Sequence, residues 1–192
     1  MRAWWTRLSK KGKAGIIAGA LPPLAGLLQL LRRRTAQTQG GTMSEENKRA
    51  VRRLIEEPWT GNTAVIDELI DEGYIGYEPS SPEPLRGPEG VRGFVGRYLA
   101  AFPNGRITVD EQCAEGDNVA TRWTGRGRHE GELMGIPPTG KDVTVWGITM
   151  SRLRGGKVVE EWTNWDTLGM LQQLGAVPQL APTDPLTSSE QG

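Results

Sequence analysis

Near Arg106 the spacing of the apolar residues changes from three-and-four to two, and no other feature of the chain limits its fold as strongly. Before that point the stripes are helical. From Glu45 on, Val51, Leu54, Ile55, Pro58 and Trp59 form one stripe; after the Thr60-Gly61-Asn62 break, Val65, Ile66, Leu69 and Ile70 form a second. Gly73 is expected to cap this second helix in the left-handed region. Tyr74 to Glu78 is expected to be a brief strand, ended by Pro79, Pro82 and Pro84, which lack the backbone donor a sheet needs. Pro88 then opens a third helix with the stripe Val91, Phe94, Val95, Tyr98, Leu99 and Phe102, and Pro103-Asn104-Gly105 ends it.

After Arg106 the chain alternates. Arg106 to Ala114, Asn118 to His129, Asp142 to Arg154 and Lys157 to Trp165 have strand period, and the turn sequences Glu115-Gly116-Asp117 and Arg154-Gly155-Gly156 join neighbours as hairpins. The expected fold is α+β, a curved antiparallel sheet with helices over one face. Leu168, Met170, Leu171 and Leu174 mark a last helix, ending at Gly175, that can plug an open end. The expected organisation is an extension over 1–43, one domain over 44–180 and a loose tail over 181–192.

Charge narrows the function. Residues 1–42 hold eight basic side chains and no acid, which leaves fifteen basic against twenty-three acidic in the remainder. A domain so acidic has no general attraction for phosphates, so nucleic acid is not an expected partner. Cys113 is the single cysteine and His129 the single histidine, too few for a disulfide or for a histidine-based metal site, and neither a metal nor another cofactor is expected. The expected location is the cytoplasm. Residues 14–34 hold an apolar run, Ala14 to Leu31, interrupted by Pro22, Pro23 and Gln29, with lysines before it and Arg32-Arg33-Arg34 after it. Three readings stay open for it: a membrane or interfacial anchor, a disordered extension, or translated upstream sequence ahead of Met43.

Several motifs coincide in the domain: Ala101-Phe102-Pro103-Asn104, Glu115-Gly116-Asp117, Arg122-Trp123-Thr124, and Gly127-Arg128-His129-Glu130-Gly131-Glu132. They continue in Gly135-Ile136-Pro137-Pro138-Thr139-Gly140-Lys141, Gly156-Lys157-Val158-Val159-Glu160-Glu161-Trp162, Asp166 and Leu171-Gln172-Gln173-Leu174-Gly175. Over nearly all of residues 45–178 the chain resembles the SnoaL-like polyketide cyclases, or ester cyclases. The resemblance implies a cone-shaped, pocket-containing fold of the nuclear transport factor 2-like class, usually a homodimer. It also implies cofactor-independent aldol ring closure of a polyketide ester by acid/base side chains. Two departures stand out. Tyr77-Glu78-Pro79 stands where relatives commonly show His-Asp-Pro, and the strand from Asp142 to Arg154 carries no mid-strand aspartate.

Candidate proton-transfer residues are His129, Asp166 and Glu78. His129 shares a strand face with Trp123 and could exchange a proton near neutral pH, or be a structural histidine. Asp166 follows Trp162 and Asn164 in alternation, and serves either as an acid/base group or as the N-cap of the last helix. A carboxylate in a dry pocket is what proton abstraction beside a carbonyl requires. Tyr77, Trp123, Trp146, Thr149 and Trp162 are the expected substrate contacts, with two of the four sheet tryptophans (123, 146, 162 and 165) in the cavity wall. The expected partner is a small hydrophobic substrate or ligand. An enzyme and a non-catalytic binder of the same fold are both consistent with these residues.

Overall fold

The computed structural model describes residues 41–178. A first helix, α1, is already formed at residue 41 and runs to 56; a 3-10 turn, Glu57–Thr60, follows. Then come α2 (Ala64–Leu69), β1 (Ile70–Tyr77), β2 (Leu85–Arg86), α3 (Gly87–Ala101), β3 (Arg106–Glu115), β4 (Asn118–Arg128), β5 (Asp142–Arg154), β6 (Lys157–Trp165) and α4 (Thr167–Leu174). The four strands expected after Arg106 are present and joined as expected. The extension, including residues 14–34 with their apolar run, and the tail from 179 lie outside the described residues. Among those described, no helix is long and apolar enough to cross a membrane.

The six strands form one sheet in the order β2-β1-β6-β5-β4-β3. All neighbours are antiparallel except β1 and β6, which pair parallel. This is the α+β architecture expected, a curved open sheet whose inner face carries the helices. The core has two parts. One gathers Val51, Ile66, Ile70 and Val158 under α1 and α2; the other gathers Phe102, Trp123, Trp165 and Met170 between the end of α3 and α4.

Two expectations need correction. Gly73 is not a helix cap: α2 stops at Leu69, and Ile70 already has the extended angles φ −90° and ψ 134°. Ile70 and Tyr74 are both buried, and burying both along β1 outweighs one further helical turn. The intervening residues bulge, and the Gly73 N–H donates to Asp71 Oδ1 at 2.9 Å in a local turn. The strand is therefore longer than Tyr74 to Glu78. In addition, Leu85 and Arg86, expected in a loop, make a two-residue edge strand against Gly76 and Ile75.

Candidate active site

Alternation decides which strand residues face the helices. On β5 the inner positions are Val143, Val145, Gly147, Thr149 and Ser151; on β6 they are Glu161, Thr163 and Trp165; on β4 they include Trp123. Together with α1, β1 and α3 these enclose a cavity of about 180 Å³ whose walls are mostly apolar. Its size depends on glycine. A Cβ at Gly147 would lie 2.7 Å from Trp165 Cβ and 2.8 Å from Trp123 Cε2, so only glycine lets the two indoles close the wall.

The polar groups in this wall fall into three sets. At the centre, Trp123 Nε1 donates to Thr149 Oγ1 at 3.0 Å, and Thr149 Oγ1 lies 3.0 Å from Thr163 Oγ1. Near the end of β1, Glu78 accepts from the Ser80 N–H at 2.9 Å and from Ser80 Oγ, while Trp165 Nε1 approaches at 3.5 Å. Ser80 Oγ also sits 3.1 Å from Tyr98 Oη, whose phenol is pushed up to about 12, chiefly by burial. The third set is Glu161 between Tyr74 and Ser151. Tyr74 Oη donates to Glu161 Oε2 at 3.0 Å and Ser151 Oγ donates to Oε1 at 2.6 Å. Glu161 keeps some accessible surface, and it lines the cavity. Loss of bulk water raises its carboxyl above the ordinary range, against the lowering effect of the two hydrogen bonds.

Of the residues expected at the site, Glu78, Trp123 and Thr149 line the cavity; Tyr77 borders it, with its ring stacked on Trp162. Four others do not. Trp146 and Trp162 lie on the outer face, 58% and 56% exposed, and Trp162 stacks on Tyr77 at 4.0 Å. Trp146 and Thr149 are three residues apart on one strand, so they cannot share a face; Trp165 joins Trp123 in the wall instead. Asp166 caps α4, its Oδ1 accepting the Gly169 N–H at 2.8 Å. His129 is wholly buried just beyond β4, where Nδ1 accepts the Thr139 N–H at 3.2 Å and the ring lies 5.3 Å from Phe102. That contact puts the ring proton on Nε2, which is buried without a hydrogen-bond partner, and burial lowers the imidazole's affinity for a second proton.

Glu161, Tyr74 and Tyr98 were not singled out from sequence. A signal for Glu161 exists: two adjacent carboxylates within a strand, Glu160-Glu161, must point to opposite faces, so one turns inward. Glu160 takes the outer side and pairs with Arg152. Among the described residues no group of three or more His, Cys, Asp or Glu side chains is arranged to hold a metal ion.

A family model for SnoaL-like polyketide cyclases matches residues 48–174, from the middle of α1 to the end of α4. The chain belongs to the SnoaL-like family. It is similar to the aklanonic acid methyl ester cyclase DnrD of Streptomyces peucetius, 34% identical over 129 residues, or 65% of this chain and 88% of that one. It is also similar to the nogalonic acid methyl ester cyclase of Streptomyces nogalater, 30% identical over 118 residues, covering 60% and 87% of the two chains. Among solved structures, wild-type IdmH from Streptomyces antibioticus superposes with a TM-score of 0.60 at 36% identity, over 67% of this chain and 98% of that one. The fold is that of the nuclear transport factor 2-like, ketosteroid isomerase-like class.

Proposed function

We propose that this SnoaL-like protein is a cofactor-independent acid/base enzyme that closes a ring in a small hydrophobic carbonyl compound of the polyketide ester type. The observation that carries the reading is Glu78, a carboxyl group in the wall of an apolar cavity whose oxygen accepts from the Ser80 N–H and Oγ. In an aldol closure Glu78 takes a proton from the carbon beside one carbonyl. The resulting enolate carbon forms a bond to a second carbonyl carbon, and the alkoxide recovers the proton from Glu78. No atom is gained or lost, so no cofactor is required. Asp166 in this reading serves α4 through its cap. His129 serves as a structural clamp, since the Gly140 N–H donates to its carbonyl and its own N–H to Lys141 O, fixing the 129–141 loop.

The test is incubation with aklanonic acid methyl ester, followed by chromatography of the products. Wild-type protein is expected to give the ring-closed isomer, and Glu78→Gln to be slower by about 10²–10⁴. A second reading is favoured by the central pair Thr149 and Thr163, neither of which is an acid or base: the cavity holds a small apolar molecule without turning it over. Tight ester binding with no product in the wild type would establish that reading.

The same proposal includes a homodimer through the outer face of the sheet. Trp146, Ile148, Met150 and Trp162 are between 46% and 58% exposed there, on two adjacent strands. An apolar patch of this kind marks an interaction surface.

A further inference from the structure

Tyr74, Gly76, Glu161 and Ser151 come from three adjacent strands, and the sheet register brings them together. Gly76 stands beside Glu161 in the parallel β1–β6 pair, and Ser151 stands beside Glu161 in the antiparallel β5–β6 pair. A Cβ at Gly76 would press against Tyr74 Oη and lie 2.7 and 2.8 Å from Cζ and Cε1 of the same ring. The phenol of Tyr74 therefore folds back over its own strand, across the space that glycine leaves open. That path brings Oη to Glu161 Oε2 while Tyr74 and Glu161 both line the cavity.

We propose that this cluster is the binding site for a carbonyl oxygen of the substrate, with the Tyr74 hydroxyl donating to that oxygen and Glu161 positioning the hydroxyl's proton. The inference rests on the cavity being the substrate pocket. Ser151 donates to Oε1, so when Glu161 is protonated its proton sits on Oε2 and the Tyr74–Glu161 contact reverses, the acid donating to Tyr74 Oη. The phenolic O–H is then released into the cavity. When Glu161 ionises, Oε2 takes that hydrogen bond back, and Tyr74 offers a ligand only lone pairs.

The surroundings favour the donating state. Removal from bulk water raises the Glu161 carboxyl, and burial, helped by the nearby Glu78, raises the Tyr74 phenol well above its ordinary value, so the phenol keeps its proton. Glu78, at the end of β1, is the further titratable group that acts on Tyr74, and Tyr98 on α3 lines the same cavity. The two carboxyl groups thus divide the work: as Glu78 takes the proton from carbon, the electron pair moves onto the oxygen held by Tyr74.

The probes are 1-tetralone, whose carbonyl can only accept, and its hydrocarbon counterpart tetralin, titrated into the full chain by tryptophan fluorescence. Infrared spectra follow the bound ketone. In the wild type at pH 4.5, where a carboxyl raised above that value still keeps most of its proton, the carbonyl stretch is expected to move to lower frequency. In Tyr74→Phe the shift should vanish, and the tetralone-to-tetralin affinity ratio should drop about tenfold. Tetralin affinity, which reports the intact pocket, should stay within about twofold of wild type. Gly76→Ala should lose the shift as well, because the phenol can no longer lie over residue 76. Tetralone affinity should weaken as pH rises through the Glu161 titration, and Glu161→Gln, which keeps a neutral donor behind Tyr74, should be independent of pH. An unshifted carbonyl in the wild type, or a shift that survives Tyr74→Phe, overturns the proposal. If neither probe binds, the pocket reading fails and this site with it. A carbonyl shift in a protein that closes no ring supports the oxygen site and removes only the reaction.

Discussion

The middle of β5 and β6 inverts the usual arrangement of a half-buried sheet, which the ends of the two strands keep. Facing the helices are Thr149, Ser151, Glu161 and Thr163; facing outward are Trp146, Ile148, Met150 and Trp162. Ordinary burial would exchange these sets, because enclosing hydroxyls and a carboxyl costs free energy unless each finds a partner. Here each does, through Trp123, Tyr74 and the threonines themselves. In the function proposed above, a ligand needs the inner polar residues and a second copy of the chain covers the outer apolar ones. Polarity on the wrong side of a strand is thus the clearest mark of function in this molecule.

The sharpest way to break the comparison is to make the outer face polar. Trp146→Lys with Met150→Glu is expected to turn a dimer into a monomer at micromolar concentration by light scattering, with the circular dichroism spectrum unchanged. A monomeric wild type would remove the interpretation of that face. On the inner face, Gly147→Ala pushes a methyl group into Trp123 and Trp165 and should cost about 1–3 kcal/mol in chemical denaturation. Thr149→Val, which strips the Trp123 indole N–H of its acceptor, should cost a similar amount. Asp166→Ala removes the cap of α4 and should cost about 1 kcal/mol without changing ligand affinity beyond that loss.

The smallest effects are two pH slopes of opposite sign, both read from melting temperature. Glu161 holds its proton above the ordinary value of 4.5 in the native state. Between 4.5 and that raised value the folded protein binds more protons than the unfolded chain, so stability falls as pH rises, and Glu161→Gln should abolish the fall. His129 is lowered from 6.5. Its contribution is complete above 6.5 and lost as pH falls toward the lowered value, and His129→Gln should flatten that limb. Unchanged slopes in both variants would show that neither group titrates with folding.

Much of this was legible before any coordinates. The change of period at Arg106 gave the order of helices and strands, because alternation over nine to thirteen residues has no other stable outcome. The same rule should have separated Trp146 from Thr149, and it failed only because large aromatics were assigned to the cavity by size. Gly73 misled because a glycine after an apolar run fits a helix cap and a strand bulge equally well. Glu161 was hidden because its importance lies in the register of β6 against β1 and β5, and a sequence does not state which residue of another strand lies opposite. Tyr74 depends on the empty Cβ of Gly76, a contact visible only once the ring's direction is known.

The parallel pairing of β1 with β6 also governs when the site can come into being. Tyr74 and Glu161 are separated by 87 residues, and until residues 157–165 are available β1 has only the two residues of β2 beside it. β3, β4 and β5 can form by local hairpin steps, but the strand that closes the cavity must join an early partner across most of the domain. During synthesis from the N-terminus, the apolar inner faces of α2, β1 and α3 therefore wait for the last strand to emerge. A chain interrupted before β6 has most of its secondary structure but lacks Glu161, Thr163 and Trp165 of the cavity wall and the strand that ties β1 to β5.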